Sequence, residues 1–153
     1  MSLTDADYAL LAARLADLAE ADPGAEVCGF IVADAAGRLA VVPVRNVAGE
    51  ARGPLDLPRE VRIAFLADPS AHLALSRRMR AEGGSIAAAF HSHVDAPAVL
   101  SAADVEQALS GGEPLHPGVD LLIIGMSGGK VSEIRTFRWC EGAFRGAAIP
   151  FRG

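Results

Sequence analysis

Residues 85–104 read SIAAAFHSHVDAPAVLSAAD, and how this stretch is read decides how the rest of the chain is arranged around it. It follows Gly83-Gly84, a turn signal, and Ser85 to Phe90 is a short apolar run of strand length. On a strand, residues i and i+2 project from the same face. His91 and His93 therefore share a face, with backbones roughly 7 Å apart at a rise of about 3.3 Å per residue, a spacing from which two imidazoles can converge on one ion. Ser92 faces the other way. Downstream, Ser101-x-x-Asp104 has the form of a capping box, the ordinary start of a helix with Ser101 as N-cap. That local role is compatible with another, because the first turn of such a helix can return Asp104 over the end of the strand that carries the histidines. Asp95 is the competing carboxylate, in a loop interrupted by Pro97. Two imidazoles and a carboxylate suit a zinc ion with a fourth position left for water.

Working outward, Thr4 and Asp5 can cap a helix with Leu11, Leu15 and Leu18 on one stripe, ended by Asp22-Pro23-Gly24. Val27 to Ala33 and Arg38 to Val44 read as strands joined in a hairpin across Asp34-Ala35-Ala36-Gly37, which puts Glu26 at a strand start. Arg45 to Pro58, broken by Gly49, Gly53, Pro54 and Pro58, reads as a surface loop able to flap over the site. A second helix starts at Pro69-Ser70, runs through Leu73, Leu75 and Met79 and stops at Gly83-Gly84; its Arg77, Arg78 and Arg80 read as a solvated face. A third continues from Asp104 to Leu109, up to Gly111-Gly112. Asp120 to Met126 and Val131 to Trp139 form a second hairpin, with Trp139 expected as a core anchor. The tail from Cys140 through Ile149-Pro150-Phe151 receives no role from its pattern. This order of elements predicts an α/β chain of the α+β type, a mixed sheet with helices packed on it.

With 153 residues, 51% of them hydrophobic, the chain is expected to form one domain over 1–153. Fourteen Lys and Arg against nineteen Asp and Glu give a net charge of −5, and no stretch collects base with aromatics, so nucleic acid is not an expected partner. No leader-like or membrane-spanning run is seen, and a cytoplasmic location is the expectation. Cys28 and Cys140, far apart, argue against a disulfide scaffold, and Cys28 inside an apolar strand reads as a small core residue. His72, in a helix of ordinary composition, and His116, in a loop, are read as having no function.

His91-x-His93-x7-Ser101-x-x-Asp104, with Glu26 upstream in Glu26-Val27-Cys28-Gly29, resembles the JAMM signature of the MPN-domain (MPN+) zinc metalloproteases in their short prokaryotic form. Val94 departs from it where many members have proline after the second histidine, which bears on the loop above the metal. The resemblance implies the MPN fold, a curved, mostly antiparallel mixed sheet flanked by helices and related to the cytidine deaminase fold. It also implies one zinc held by His91, His93 and Asp104, with Glu26 as the base that takes a proton from the attacking water and Ser101 as a donor to the oxyanion. The implied activity is hydrolysis of a peptide or isopeptide bond after the Gly-Gly end of a small ubiquitin-like or sulfur-carrier protein. Ser110 to Gly118 is too short for the second insertion of the eukaryotic deubiquitinases, so linkage selectivity is not expected. A barrel amidohydrolase needs about 200 residues or more, and a deaminase site needs neighbouring cysteines that Cys28 and Cys140 do not supply. A non-catalytic MPN scaffold and a hydrolase of small amides are the alternatives.

Overall fold

The computed structural model describes residues 3–49 and 67–151; of the Arg45 to Pro58 loop, positions 50–58 lie outside the described residues. The N-terminal helix is two helices, α1 (Asp5–Ala9) and α2 (Ala12–Ala21), where a single one was expected. Thr4 and Asp7 close a capping box on α1. At Leu10 and Leu11 the amides bond back three residues, to Asp7 O and Tyr8 O, and this tighter turn interrupts the α-helix. The leucine stripe survives the break: Leu15 is buried, and Leu11 and Leu18 pack against the same core.

β1 (Cys28–Ala33) and β2 (Leu39–Val44) form the expected hairpin, with Asp34 Oδ1 accepting from the Ala36 and Arg38 amides at 2.9 Å each. α3 (Pro69–Glu82) is capped by Asp68 at its start and by Gly83 at its end, and leads into β3 (Ser85–Ser92). α4 (Ala102–Ala108) stops one residue short of the expected Leu109. The chain instead enters a two-residue hairpin, β4 (Leu109–Ser110) with β5 (Glu113–Pro114), because Gly111 and Gly112, both at positive φ, can turn it back on itself. β6 (Asp120–Ser127), β7 (Lys130–Cys140) and β8 (Ala143–Ala148) complete the main sheet. β8 was not expected, its sequence lacking clear alternation. It is an edge strand, and its half-exposed faces explain the weak pattern.

The six strands lie in the order β2-β1-β3-β6-β7-β8, antiparallel throughout except for β3 against β6. One face carries α2, whose Leu15, Ala16 and Ala19 join Ile31, Ala88, Phe90, Leu122, Ile124 and Ile134 in the largest core cluster. The other carries α3, with Leu75 and Met79 against Phe30 and Val32. With a helix on each side, β1 is buried at every residue. Gly29 is required by this crowding, since a Cβ there would come within 2.7 Å of the Phe90 ring. The tail also finds its place: Ile149 is buried in the α2-side core, with Phe151 packed against it. Trp139 is not the core anchor expected from its size. It is half-buried near the end of β7, edge-on to Phe144 at 5.0 Å, because its partner β8 is the sheet edge; Tyr8 fills the core in its stead. No helix among the described residues is long and apolar enough to cross a membrane.

The single parallel pair positions the site. The crossover from β3 to β6 carries α4, so the start of α4 lies beyond the carboxyl ends of both strands, where ligands bind in open α/β sheets. β1 runs opposite to β3 with Cys28 paired to His91, so the residues just before β1 arrive at that same end.

Candidate metal centre

All five residues singled out in the sequence meet at this end of the sheet. His91 and His93 converge as their i, i+2 spacing requires, with Nε2 atoms 3.2 Å apart. Asp104 spans both: Oδ1 lies 3.2 Å from His91 Nε2 and Oδ2 lies 3.2 Å from His93 Nε2. Ligands bound at 2.0–2.1 Å in a tetrahedron stand about 3.3 Å from one another; the two imidazole nitrogens already have that separation, and each faces a different Asp104 oxygen at the same distance. Glu26 offers a carboxylate oxygen within 4.8 Å of the histidine nitrogens and, like His91, is buried. Glu26, His91 and His93 could themselves hold a metal ion, so two carboxylates flank the histidine pair.

Ser101 performs the helix-start role read from its spacing. Its Oγ accepts from the Asp104 amide at 3.0 Å, and its own amide donates to Asp104 Oδ2 at 3.0 Å. The capping box thereby orients the carboxylate towards the histidines, and the exposed Ser101 stands next to it. Asp95 is held elsewhere, at φ 47° with Oδ1 accepting from the Gly128 amide. His72 and His116 meet each other, His72 stacking on Phe30, and line a cavity of about 510 Å³ on the α3 side that contains none of the five residues. That cavity is the larger one, yet the chemistry lies outside it; Glu26, with Asn46 and Cys28, lines another of about 330 Å³.

The charges follow from burial and proximity. Burial raises the Glu26 carboxyl to about 7; His93 draws it down and Asp104 pushes it up. For Asp104, burial also favours the protonated form, but hydrogen bonds from His91 and His93 hold it far below the usual carboxylate range. Burial dominates at His91 and lowers its pKa, whereas at His93 the same penalty is outweighed by Asp104 and the Pro97 carbonyl, which raise its pKa. Cys28, desolvated in β1, has its thiol pushed up to about 12 and behaves as the core residue expected.

Four contributors were not singled out beforehand. The Pro97 carbonyl lies 2.9 Å from His93 Nδ1, which assigns a proton to Nδ1 and makes Nε2, the atom facing Asp104, the nitrogen that could take an ion. Gly125 makes that contact possible: a Cβ there would lie 2.7 Å from the Ala98 nitrogen, so only glycine lets the 96–98 segment lie on β6. Ser92 and Asn46 both bond to the backbone around Glu26. A glycine inside an apolar strand was the one available signal, for Gly125.

With the geometry in view, the comparisons with known proteins agree. The chain is 34% identical over 92 residues to the desampylase of Haloferax volcanii, a stretch covering 59% of each protein. It therefore spans about three fifths of that relative's length. Its fold is shared with a protein of Desulfitobacterium hafniense solved in solution, at a TM-score of 0.62 and 23% identity over 92% of this chain and 87% of that one. A protein of Salinibacter ruber also shares it, at 0.60 and 20% identity over 99% and 92%. Residues 9–140 match the family model described as prokaryotic homologs of the JAB domain, and the chain belongs to that family.

Proposed function

We propose that this protein is a zinc-dependent isopeptidase or peptidase, acting as one domain over 1–153 in the cytoplasm, that cleaves the amide bond after the Gly-Gly end of a small ubiquitin-like or sulfur-carrier protein. The observation that carries this reading is the convergence of His91, His93 and Asp104 at 3.2 Å with the buried Glu26 beside them. Its donor chemistry fits the ion: two imidazole nitrogens and one carboxylate, with room for a fourth ligand. His91, His93 and Asp104 would hold one zinc per chain. Glu26, outside the 3.2 Å trio, is left for proton transfer. When bound, zinc supplies Lewis acidity that polarises a carbonyl and makes water nucleophilic at neutral pH. With a carboxyl poised near 7, Glu26 takes a proton from the attacking water and returns it to the leaving amine. The Ser101 hydroxyl, exposed at the start of α4, donates to the carbonyl oxygen as it gains charge. Likeness to a desampylase supports a ubiquitin-like protein as substrate. Its extended tail would add as a strand along a sheet edge.

The test is a panel of small β-grasp carriers, each extended beyond its Gly-Gly, incubated with zinc-loaded protein and followed by mass spectrometry. Release of the extension after the second glycine is the expected result. No cleavage across the panel would transfer the reading to a binding scaffold or a hydrolase of small amides.

A further inference from the structure

We propose that Ser92 is a positioning residue that sets where Glu26 stands relative to His91 and His93; the inference rests on the base role given to Glu26 above. Glu26 precedes β1, and the β1–β3 pairing begins only at Cys28 and His91, so no ladder of its own holds it. Its backbone is tied down by two side-chain bonds and one main-chain bond. The Val27 amide donates to Ser92 Oγ at 2.9 Å, the Ser92 amide donates back to Val27 O at 2.9 Å, and Asn46 Nδ2 donates to Glu26 O at 2.8 Å. Ser92 is fully buried and is the last residue of β3, between His91 on the strand and His93 just past it. One residue thus ties the segment carrying the base to the strand carrying the ligands, across 65 positions of sequence. A hydroxyl is the fitting group. Alanine would leave the Val27 amide without its acceptor, and a carboxylate would add charge beside Glu26 and Asp104. A base displaced by even 1 Å costs about 10²-fold in rate.

The experiment compares wild type, Ser92→Ala and the near-isosteric, weakly accepting Ser92→Cys, each loaded with zinc, alone and combined with Glu26→Gln. Ser92→Ala is expected to keep the wild-type zinc ratio and to speed hydrogen exchange at the Val27 amide. Turnover on a Gly-Gly-extended carrier should fall about tenfold or more with KM little changed, and Ser92→Cys should lose less. Added to Glu26→Gln, Ser92→Ala should cost nothing further, because a residue acting through the base has no effect once the base is gone. A full additional loss in that background, or unchanged turnover despite a faster Val27 amide, would overturn the proposal. Should Ser92→Ala fail to fold, Ser92→Cys carries the same comparison. If wild type cleaves no carrier, the functional reading falls while Ser92 is still judged. The 13C shift of the Glu26 carboxyl on adding zinc should then be smaller in the variant, and an equal shift counts against Ser92.

Discussion

The two ends of the main sheet each bury a polar network, and they are built on opposite principles. At the end where β6 begins, the Tyr8 hydroxyl donates to Asp120 at 2.6 Å while Arg138 bonds to Asp5 at 2.6 Å and lies 3.5 Å from Asp120, its guanidinium over the Tyr8 ring. Every carboxylate there faces a donor or a cation. At the end where β3 stops, two imidazole nitrogens face each other and a shared carboxylate at 3.2 Å with Glu26 alongside, so groups of the kind that ligate a metal face one another. The first arrangement is complete within the protein and serves as a clasp holding α1 to the sheet. The second is an arrangement that a bound cation would complete. Burial of polar groups does not separate the two; the kinds of group brought face to face do.

This contrast breaks most directly at the ligands. His91→Ala is expected to abolish zinc binding and with it the activity, and zinc retained at the wild-type ratio, measured by metal analysis, would place the site elsewhere. Next in size, Glu26→Gln should keep zinc bound while turnover drops roughly 10²-fold or more; equal rates at matched zinc content would remove Glu26 from the chemistry. Gly125→Ala sharpens the comparison one step back from the histidines. By displacing the Pro97 carbonyl from His93 Nδ1 it should weaken zinc affinity about 10- to 100-fold, read by competition with a chelator. At the clasp, Tyr8→Phe should leave zinc and turnover as they are and lower stability by about 1–3 kcal/mol, read by denaturant unfolding of the apo protein. A change in zinc affinity there would show that the two ends are coupled.

The strands and helices with a clean period were legible: β1, β2, β3, β6, β7 and α3 stand within two residues of their expected bounds, because alternation and capping are local signals. The break at Leu10–Leu11 was not, since the leucine stripe continues across it; nor was β8, whose pattern is blurred at the sheet edge. The convergence of the two histidines followed from strand geometry alone. That Ser101 starts a helix whose first turn can return Asp104 over the strand end was legible as a capping box, and both bonds of that box form.

What the sequence determined by itself is therefore the histidine pair at the end of one strand, the helix start that carries a carboxylate, and the alternation that makes a sheet, each set by spacings of two to four residues. The tertiary structure decided which carboxylate reaches the histidines. Asp104 does so because the parallel β3–β6 crossover lays α4 over the strand ends, whereas Asp95, closer in sequence, is bonded to Gly128. It also decided that Glu26 stands beside them, through an antiparallel register that pairs Cys28 with His91, and that Pro97, Gly125, Ser92 and Asn46 hold the site in shape. These contacts join residues whose separation carries no period. They exist only once long-range strand pairing has closed the loops between them, and no local pattern can encode that.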